Sequence, residues 1–395
     1  MPQTHFAAAR RNFLRTALLG GAAALSACSM TGMSQHESPG APAPSGQTPA
    51  GNAGTLGNGP VKVGLVLPLT QGGGQSAVGV SMRNAAELAI SEAGANDITI
   101  LVMDDRSTPE GAREATQAAL AEGAELILGP LFAGDVRAAA EVARPAGKPI
   151  IAYSTDLSAA SRGVYLLSFL VENYADRIVE FAVSRGKKSV AVLAPENDYA
   201  NVATGALQQA AARRGMRVAL IERYKGGAVA ASVANVAALG DQIDCIFIPE
   251  QAAAMAEVSR ALTAKGVDSR KIQILGTGLW NDSRVLNLPA LQGAWFATPE
   301  NAGFAAFAQR YRAKFGSDPT RVATLAYDSV SLAAALARTQ GSRRFSEEVL
   351  INPTGFNGAD GVFRFKPDGS NERGLAVVQI NNGTTTVISP APRSL

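Results

Sequence analysis

The feature that most restricts the fold of this chain is the alternation, from residue 61 onward, of short apolar runs with helical patterns. Val61 to Leu67, Ile98 to Met103, Leu126 to Leu128, Pro149 to Tyr153 and Val164 to Leu167 each read as a buried strand. Between them, 76–93 places Val78, Met82, Ala85, Ala89 and Ile90 on one helical face, and Thr108-Pro109-Glu110 carries a capping oxygen, a proline at the first helical position and an acid in the first turn. A second series begins near Asn173, with strands at Val190–Ala194, Val218–Glu222, Ile243–Ile248 and Ile272–Leu275 and helices over 173–185, 198–214, 229–239 and 250–265. Two long helices return at 303–315 and 321–339, and Gly361 to Ser389 holds three short strands with turn signals at Pro367-Asp368-Gly369 and Asn381-Asn382-Gly383. Such repetition predicts parallel sheets covered on both faces, and two sheets of about five to seven strands rather than one of a dozen.

Composition removes several function classes. The chain of 395 residues has two histidines, His5 and His36, both ahead of the globular region. Catalytic units that need an imidazole base, and histidine metal sites, are therefore excluded from the body. Arg10, Arg11 and Arg15 account for the whole excess of 36 basic over 33 acidic residues. The body is formally neutral, which removes the electrostatic argument for nucleic acid. No Gly-x-Gly-x-x-Gly follows the first strand, and Gln71-Gly72-Gly73-Gly74-Gln75 lacks the Gly-Lys ending of a phosphate loop, so it reads as a loop at a cleft rim. Cys245, inside an apolar strand pattern, reads as a buried structural thiol. The carboxylate pair Asp104 and Asp105 reads as a solvated strand end, and Asp328 as a helix-capping acid. No cofactor and no metal are expected, and the chain does not read as an enzyme.

The first 27 residues read as an export signal. Arg10-Arg11-Asn12-Phe13-Leu14 resembles a twin-arginine signal, with Ala9 where a hydroxyl is usual. The apolar stretch from Thr16 to Leu25 is too short to span a bilayer. It ends in Leu25-Ser26-Ala27-Cys28, which resembles the lipobox of bacterial lipoproteins and predicts lipidation of the Cys28 thiol. Residues 28–60, rich in Pro, Gly and Ser, read as a flexible tether from the membrane. The expected location is the periplasm, anchored by lipid to the outer membrane.

Several segments are similar, in order, to one family: Gly64-Leu65-Val66-Leu67-Pro68-Leu69-Thr70, Leu128-Gly129-Pro130-Leu131, Ala326-Tyr327-Asp328-Ser329-Val330, and Phe356-Asn357-Gly358 with Gly361-Val362-Phe363-Arg364-Phe365. Together they resemble the type I periplasmic binding proteins of the leucine/isoleucine/valine group. Within it, 275–282 and 152–156 with 163–167 look most like the penicillin-binding protein activators, a lipoprotein branch. The resemblance implies an α/β fold of two lobes, each a parallel sheet flanked by helices, joined by three crossovers near 168–172, 297–300 and 351–356. Residues 61–170 with 300–351 would form one lobe, and 171–299 with 352–395 the other.

The resemblance also implies a ligand between the lobes, where strand ends of open α/β sheets converge. It places ligand candidates at Thr70, Ser76, Leu131, Ser154, Thr155, Asp156, Tyr199, Gly278 and Trp280. Amino-acid binders of the group present a hydroxyl, an aromatic ring and an acid where this chain has Ala133, Val78 and Gly278, while Thr155 and Tyr199 match. An ammonium buried without a carboxylate is costly, so a branched-chain amino acid is not expected to bind tightly, unless Asp156, Glu250 or Asp282 substitutes. Two functions follow from the resemblance: regulation of a peptidoglycan synthase, or delivery of an amino acid or other small polar solute to a membrane permease.

Overall fold

The computed structural model describes residues 52–94 and 96–395. The export signal, Cys28 and most of the tether lie outside the described residues. The first sheet takes strands β1 (Asn52–Leu56), β2 (Val61–Leu67), β3 (Ile98–Asp104), β4 (Leu126–Leu128), β5 (Ile150–Ala152) and β6 (Val164–Leu166), in the order β1-β3-β2-β4-β5-β6. Its helices are α1 (Ala77–Ala93), α2 (Pro109–Ala121) and α3 (Ala133–Ala143). Helix α3 was not apparent from the sequence. Its first turn follows Phe132, which makes no side-chain cap. Ser76 and Thr108 cap α1 and α2 by accepting from the N–H groups of Gly79 and Gly111.

The strands show why near-continuous apolar runs were needed. In β2, Val63, Leu65 and Leu67 join one core with Met82 and Ala85 of α1, while Val66 turns to the other face and meets Ala115 and Ala119 of α2. Helix α1 comes close enough that a Cβ on Gly79 would lie 2.0 Å from the Pro68 carbonyl oxygen, so only glycine fits there.

The second sheet is built from β7 (Ser189–Pro195), β8 (Arg217–Tyr224), β9 (Cys245–Phe247), β10 (Gln273–Gly276) and β11 (Trp295–Thr298), with helices α4 (Val171–Ser184), α5 (Asp198–Arg214), α6 (Val229–Ala237) and α7 (Met255–Ala264). Helices α4 and α5 cover one face, against Val190, Val192 and Phe247. Helices α6 and α7 cover the other, against Ala191, Leu193 and Ile246. Cys245 is fully buried and free, and burial pushes its thiol up to about 12, as a structural cysteine requires.

The chain then returns to the first core through α8 (Asn301–Phe315) and α9 (Ala323–Thr339). A three-stranded antiparallel sheet follows: β12 (Phe356–Gly358), β13 (Gly361–Phe365) and β14 (Asn371–Arg373). Strands β15 (Ala376–Asn381) and β16 (Thr384–Ser389) complete the second sheet, ordered β8-β7-β9-β10-β11-β15-β16.

Four expectations need correction. The sheets are mixed, not purely parallel: β1 runs antiparallel to β3, and β15 and β16 are antiparallel at the opposite sheet's edge. Part of the expected tether is structured, because β1 finds an edge to pair with. The third crossover falls at 374–375, not 351–356, because Phe363 and Phe365, with Phe356 against them, pack into the first core. Leu375 and Val377 belong to the second. Finally, Asp105 is not solvated: it has no exposed surface.

Candidate functional site

Two of the three crossovers meet at the floor of a cleft of about 1320 Å³ that is lined from both lobes. The first lobe contributes the loop after β5, with Thr155, Asp156, Leu157 and Ser158, and Arg321 ahead of α9. The second contributes the start of α5, with Asp198, Tyr199 and Asn201, the loop after β10, with Gly278 and Leu279, and Asp282 with Arg284. Phe169, Val171, Glu172 and Tyr174 come from the first crossover and the opening turn of α4, and Thr298 and Pro299 from the second. The cleft thus lies beyond the C-terminal ends of β5, β7 and β10, where carbonyl-end loops of parallel strands converge.

Four of the nine candidates line this cleft: Thr155, Asp156, Tyr199 and Gly278. Asp156 is already engaged. It accepts from Ser158 N (2.9 Å) and Ser158 Oγ (2.6 Å) and pairs with Arg137 at 2.9 Å. The Ser158 hydroxyl, with Arg137 behind it, holds its carboxyl below the usual range. Tyr199 donates its hydroxyl to Thr277 Oγ1 at 2.7 Å, which fixes the ring across the two strand ends.

The other five do not line it. Thr70 donates to Asp104 Oδ2 at 2.7 Å and helps fold the glycine loop back as a small hairpin, 70–71 against 74–75, which lines no part of the cleft. Ser76 is spent on capping α1. Leu131 packs against the first core. Ser154 is buried and accepts from Asp156 N at 3.1 Å. Trp280 is fully buried rather than stacked toward a ligand: it lies over Gly276, where a Cβ would meet the indole at 2.2 Å, and faces Phe296 at 6.3 Å.

Two proposed counter-charges are also accounted for. Glu250 is buried and accepts from Tyr224 Oη (2.6 Å) and Gln251 N (2.7 Å), away from the cleft lining. Asp282 holds Arg284 in a fork at 3.0 and 2.7 Å. Asp328 does not cap its own helix. Its Oδ1 accepts from Ala359 N at 2.6 Å and ties the β12–β13 turn to α9.

Sequence reasoning passed over one cleft carboxylate with an unusual environment. Glu172, in the first turn of α4, has a buried Oε2 with no hydrogen-bond partner, and burial raises its carboxyl above the usual range. Beside it stands Tyr174, buried and pushed up to about 12 by burial, whose ring closes on Gly278: a Cβ there would lie 2.6 Å from Tyr174 Cζ. Arg321 pairs with buried Asp360 through two bonds of 2.6 Å, its plane flanked by Phe169 and Phe304 at 4.9 and 4.4 Å. Arg373, at the third crossover, donates to Ser168 O in the first at 3.0 Å and stacks on Phe169 at 4.7 Å. The crossovers are thus laced together under the cleft floor.

Among the described residues, no group of acids, histidines or cysteines is arranged to hold a metal, and no helix is long and apolar enough to cross a membrane.

No curated protein matched the chain. Among solved structures, it is similar to a candidate branched-chain amino acid ABC transporter protein from Rhodospirillum rubrum, at 21% identity and TM-score 0.72 over 83% of this chain and 99% of that one. A branched-chain amino acid transporter substrate-binding protein from Streptococcus pneumoniae in complex with isoleucine shares 21% identity, with TM-score 0.56 over 84% and 99%. A solute-binding protein of an ABC transporter from Rhodopseudomonas palustris, in complex with 3,4-dihydroxybenzoic acid, shares 21% identity, with TM-score 0.57 over 84% and 96%. At these identities the likeness establishes the fold: two lobes of the type I arrangement. The family model described as periplasmic binding protein matches residues 60–385, and with that span the chain belongs to the periplasmic binding protein family, a family of ligand-binding modules rather than enzymes that work in the periplasm.

Proposed function

We propose that this protein is the solute-binding component of an ABC-type importer, which takes a small polar ligand into the cleft and presents it to a membrane permease. The observation that carries this reading is the cleft itself. It is open to solvent, lined from both lobes, and holds at its floor Glu172, whose buried Oε2 has no intramolecular partner. Side chains with packing or pairing duties normally find partners when buried, so groups left unpaired in a cavity point to a ligand. The similarity to transporter binding proteins supports the same choice.

Regulation of a peptidoglycan synthase has less support. Of the segments that suggested it, 275–282 is explained by packing: Trp280 fills the second core and Asp282 engages Arg284. We keep from the sequence the lipid anchor at Cys28, because the order Leu-Ser-Ala-Cys after an apolar stretch suits a lipoprotein signal. Holding the body near the bilayer shortens the search for a permease.

The test is a thermal-shift panel on unfolded, dialysed and refolded protein, covering amino acids, amines, aromatic acids, sugars and small peptides. Binding to the folded state alone must raise the melting temperature. At least one class is expected to raise it in a saturable way. A flat response across all classes contradicts the reading.

A further inference from the structure

The charges around the cleft specify more than a polar solute. Four carboxylates and two guanidiniums line it: Asp156, Glu172, Asp198, Asp282, Arg284 and Arg321. Both guanidiniums are already neutralised, Arg284 by Asp282 and Arg321 by Asp360. Asp360 has a fully buried side chain and accepts a further bond from Thr324 Oγ1, so releasing Arg321 would strand a buried charge. Asp156 is paired with Arg137, and Asp198 is exposed in the first turn of α5, where water and the helix dipole satisfy it. Glu172 remains: a carboxylate at the cleft floor whose Oε2 is out of water and without a hydrogen-bond partner, with its own backbone N–H and the nearby Lys366 charge only partly offsetting its burial.

A second observation concerns the neighbouring ring. Tyr174 is 9% exposed, lines the cleft, and its hydroxyl makes no hydrogen bond among the described residues. Tyr174 and Tyr199 offer apolar and π surface around the same floor, whereas the Phe169 ring already carries Arg321 at 4.9 Å and Arg373 at 4.7 Å. A cation beside such rings gains from their quadrupoles as well as from the acid.

We propose that the cleft takes an amine cation with an apolar body and no free carboxylate, its ammonium on Glu172 and its body against Tyr174 and Tyr199. A free amino acid would bring the same ammonium, but its carboxylate would find no unpaired cation lining the cleft, because Arg373, whose Nη1 and Nη2 lack partners, is buried behind Phe169 and off the lining. Each such unmatched ion must be stripped of water without compensation, which turns an amino acid away in favour of the corresponding amine. The proposal rests on the solute-binding reading and names the class of solute.

The experiment is calorimetry on the ligand-stripped full chain with matched pairs: tyramine against tyrosine, and isoamylamine against leucine and 4-methylpentanoate. Each amine is expected to bind at least about tenfold more tightly than its amino acid. Glu172→Gln should weaken amine binding by about ten- to hundredfold, as the loss of one charge-assisted hydrogen bond implies. Asp241→Asn, at an exposed acid outside the cleft lining, should leave it within about twofold. Unfolding curves establish that each variant folds. If Glu172→Gln does not fold, the pH profile of the wild type replaces it: amine affinity should fall on acidification as Glu172, raised by burial and by the Asp156 charge against the opposing Lys366 charge, is neutralised. Equal or tighter binding of tyrosine, leucine or 4-methylpentanoate overturns the proposal, as does a folded Glu172→Gln protein with undiminished amine affinity. If no amine binds but another class in the thermal-shift panel does, the proposal fails and the importer reading stands. If no class binds, the importer reading fails with it.

Discussion

Asp105 offers the sharpest test of how the first lobe is assembled. It lies just past β3 with no exposed surface. Its Oδ1 accepts from Ser107 N at 2.8 Å, but Oδ2 has no partner, and neither does Oδ2 of Asp135, which is itself buried at the start of α3. Burial, aided by the nearby Asp135 and Asp104 charges and only partly opposed by the Ser107 bond, pushes Asp105 up to about 7 from 3.8. A raised value in the folded state means that the folded chain holds this proton after the unfolded chain has lost it. Stability from this group is therefore fully present below about pH 4, is lost as pH rises toward 7, and stays lost above 7. A shift of about 3 units at about 1.4 kcal/mol each sets an upper bound of about 4 kcal/mol. Asp105→Asn removes the charge and keeps the shape. It should stabilise the protein by about 2–4 kcal/mol at pH 8 and change it little at pH 4.5. Urea unfolding at pH 4.5, 6 and 8, read as midpoints at constant slope, provides the measurement. A variant that is less stable than wild type at pH 8, or that keeps the full pH slope, would refute the burial argument.

Further outcomes follow from the placements above. Trp280→Ala should cost about 3–5 kcal/mol of stability, as for a large ring removed from a core; a variant of unchanged stability that loses its solute would return Trp280 to the cleft. Gly278→Val should lower solute affinity at least about tenfold in calorimetry, because its side chain must displace the Tyr174 ring; undiminished affinity would take this floor out of the binding site. Cys28→Ser should abolish incorporation of labelled palmitate and release the protein from membranes, and persistent labelling would dismiss the lipobox.

Much of the fold was legible because its signals are local. Thr108-Pro109 marks the start of α2 and Ser76 that of α1, and the strand runs needed only their apolar continuity. What escaped depends on distant partners. Asn52–Leu56 has no strand pattern of its own and becomes one because β3 presents an edge. Phe356, Phe363 and Phe365 suit either core, and only packing assigns them to the first. At the site, Thr155, Asp156, Tyr199 and Gly278, which the family resemblance suggested, lie along the cleft. Glu172 was missed because an acid in a helix's first turn is ordinary. Its distinction, an oxygen buried without a partner, exists only once the crossover forms the cleft floor. Trp280 shows the reverse: a tryptophan in a strand-end loop suits either a ligand platform or packing, and the glycine four residues earlier makes room for it in the core.

The central claim is that the cleft between the lobes holds a small solute. Native mass spectrometry of protein purified from its own periplasm, without unfolding, tests it most directly. The account predicts a complex heavier than the bare chain by one small molecule, released on mild activation, and absent or much reduced in Glu172→Gln and Gly278→Val. A wild-type mass equal to that of the bare mature chain, still unchanged after incubation with periplasmic extract, would contradict it.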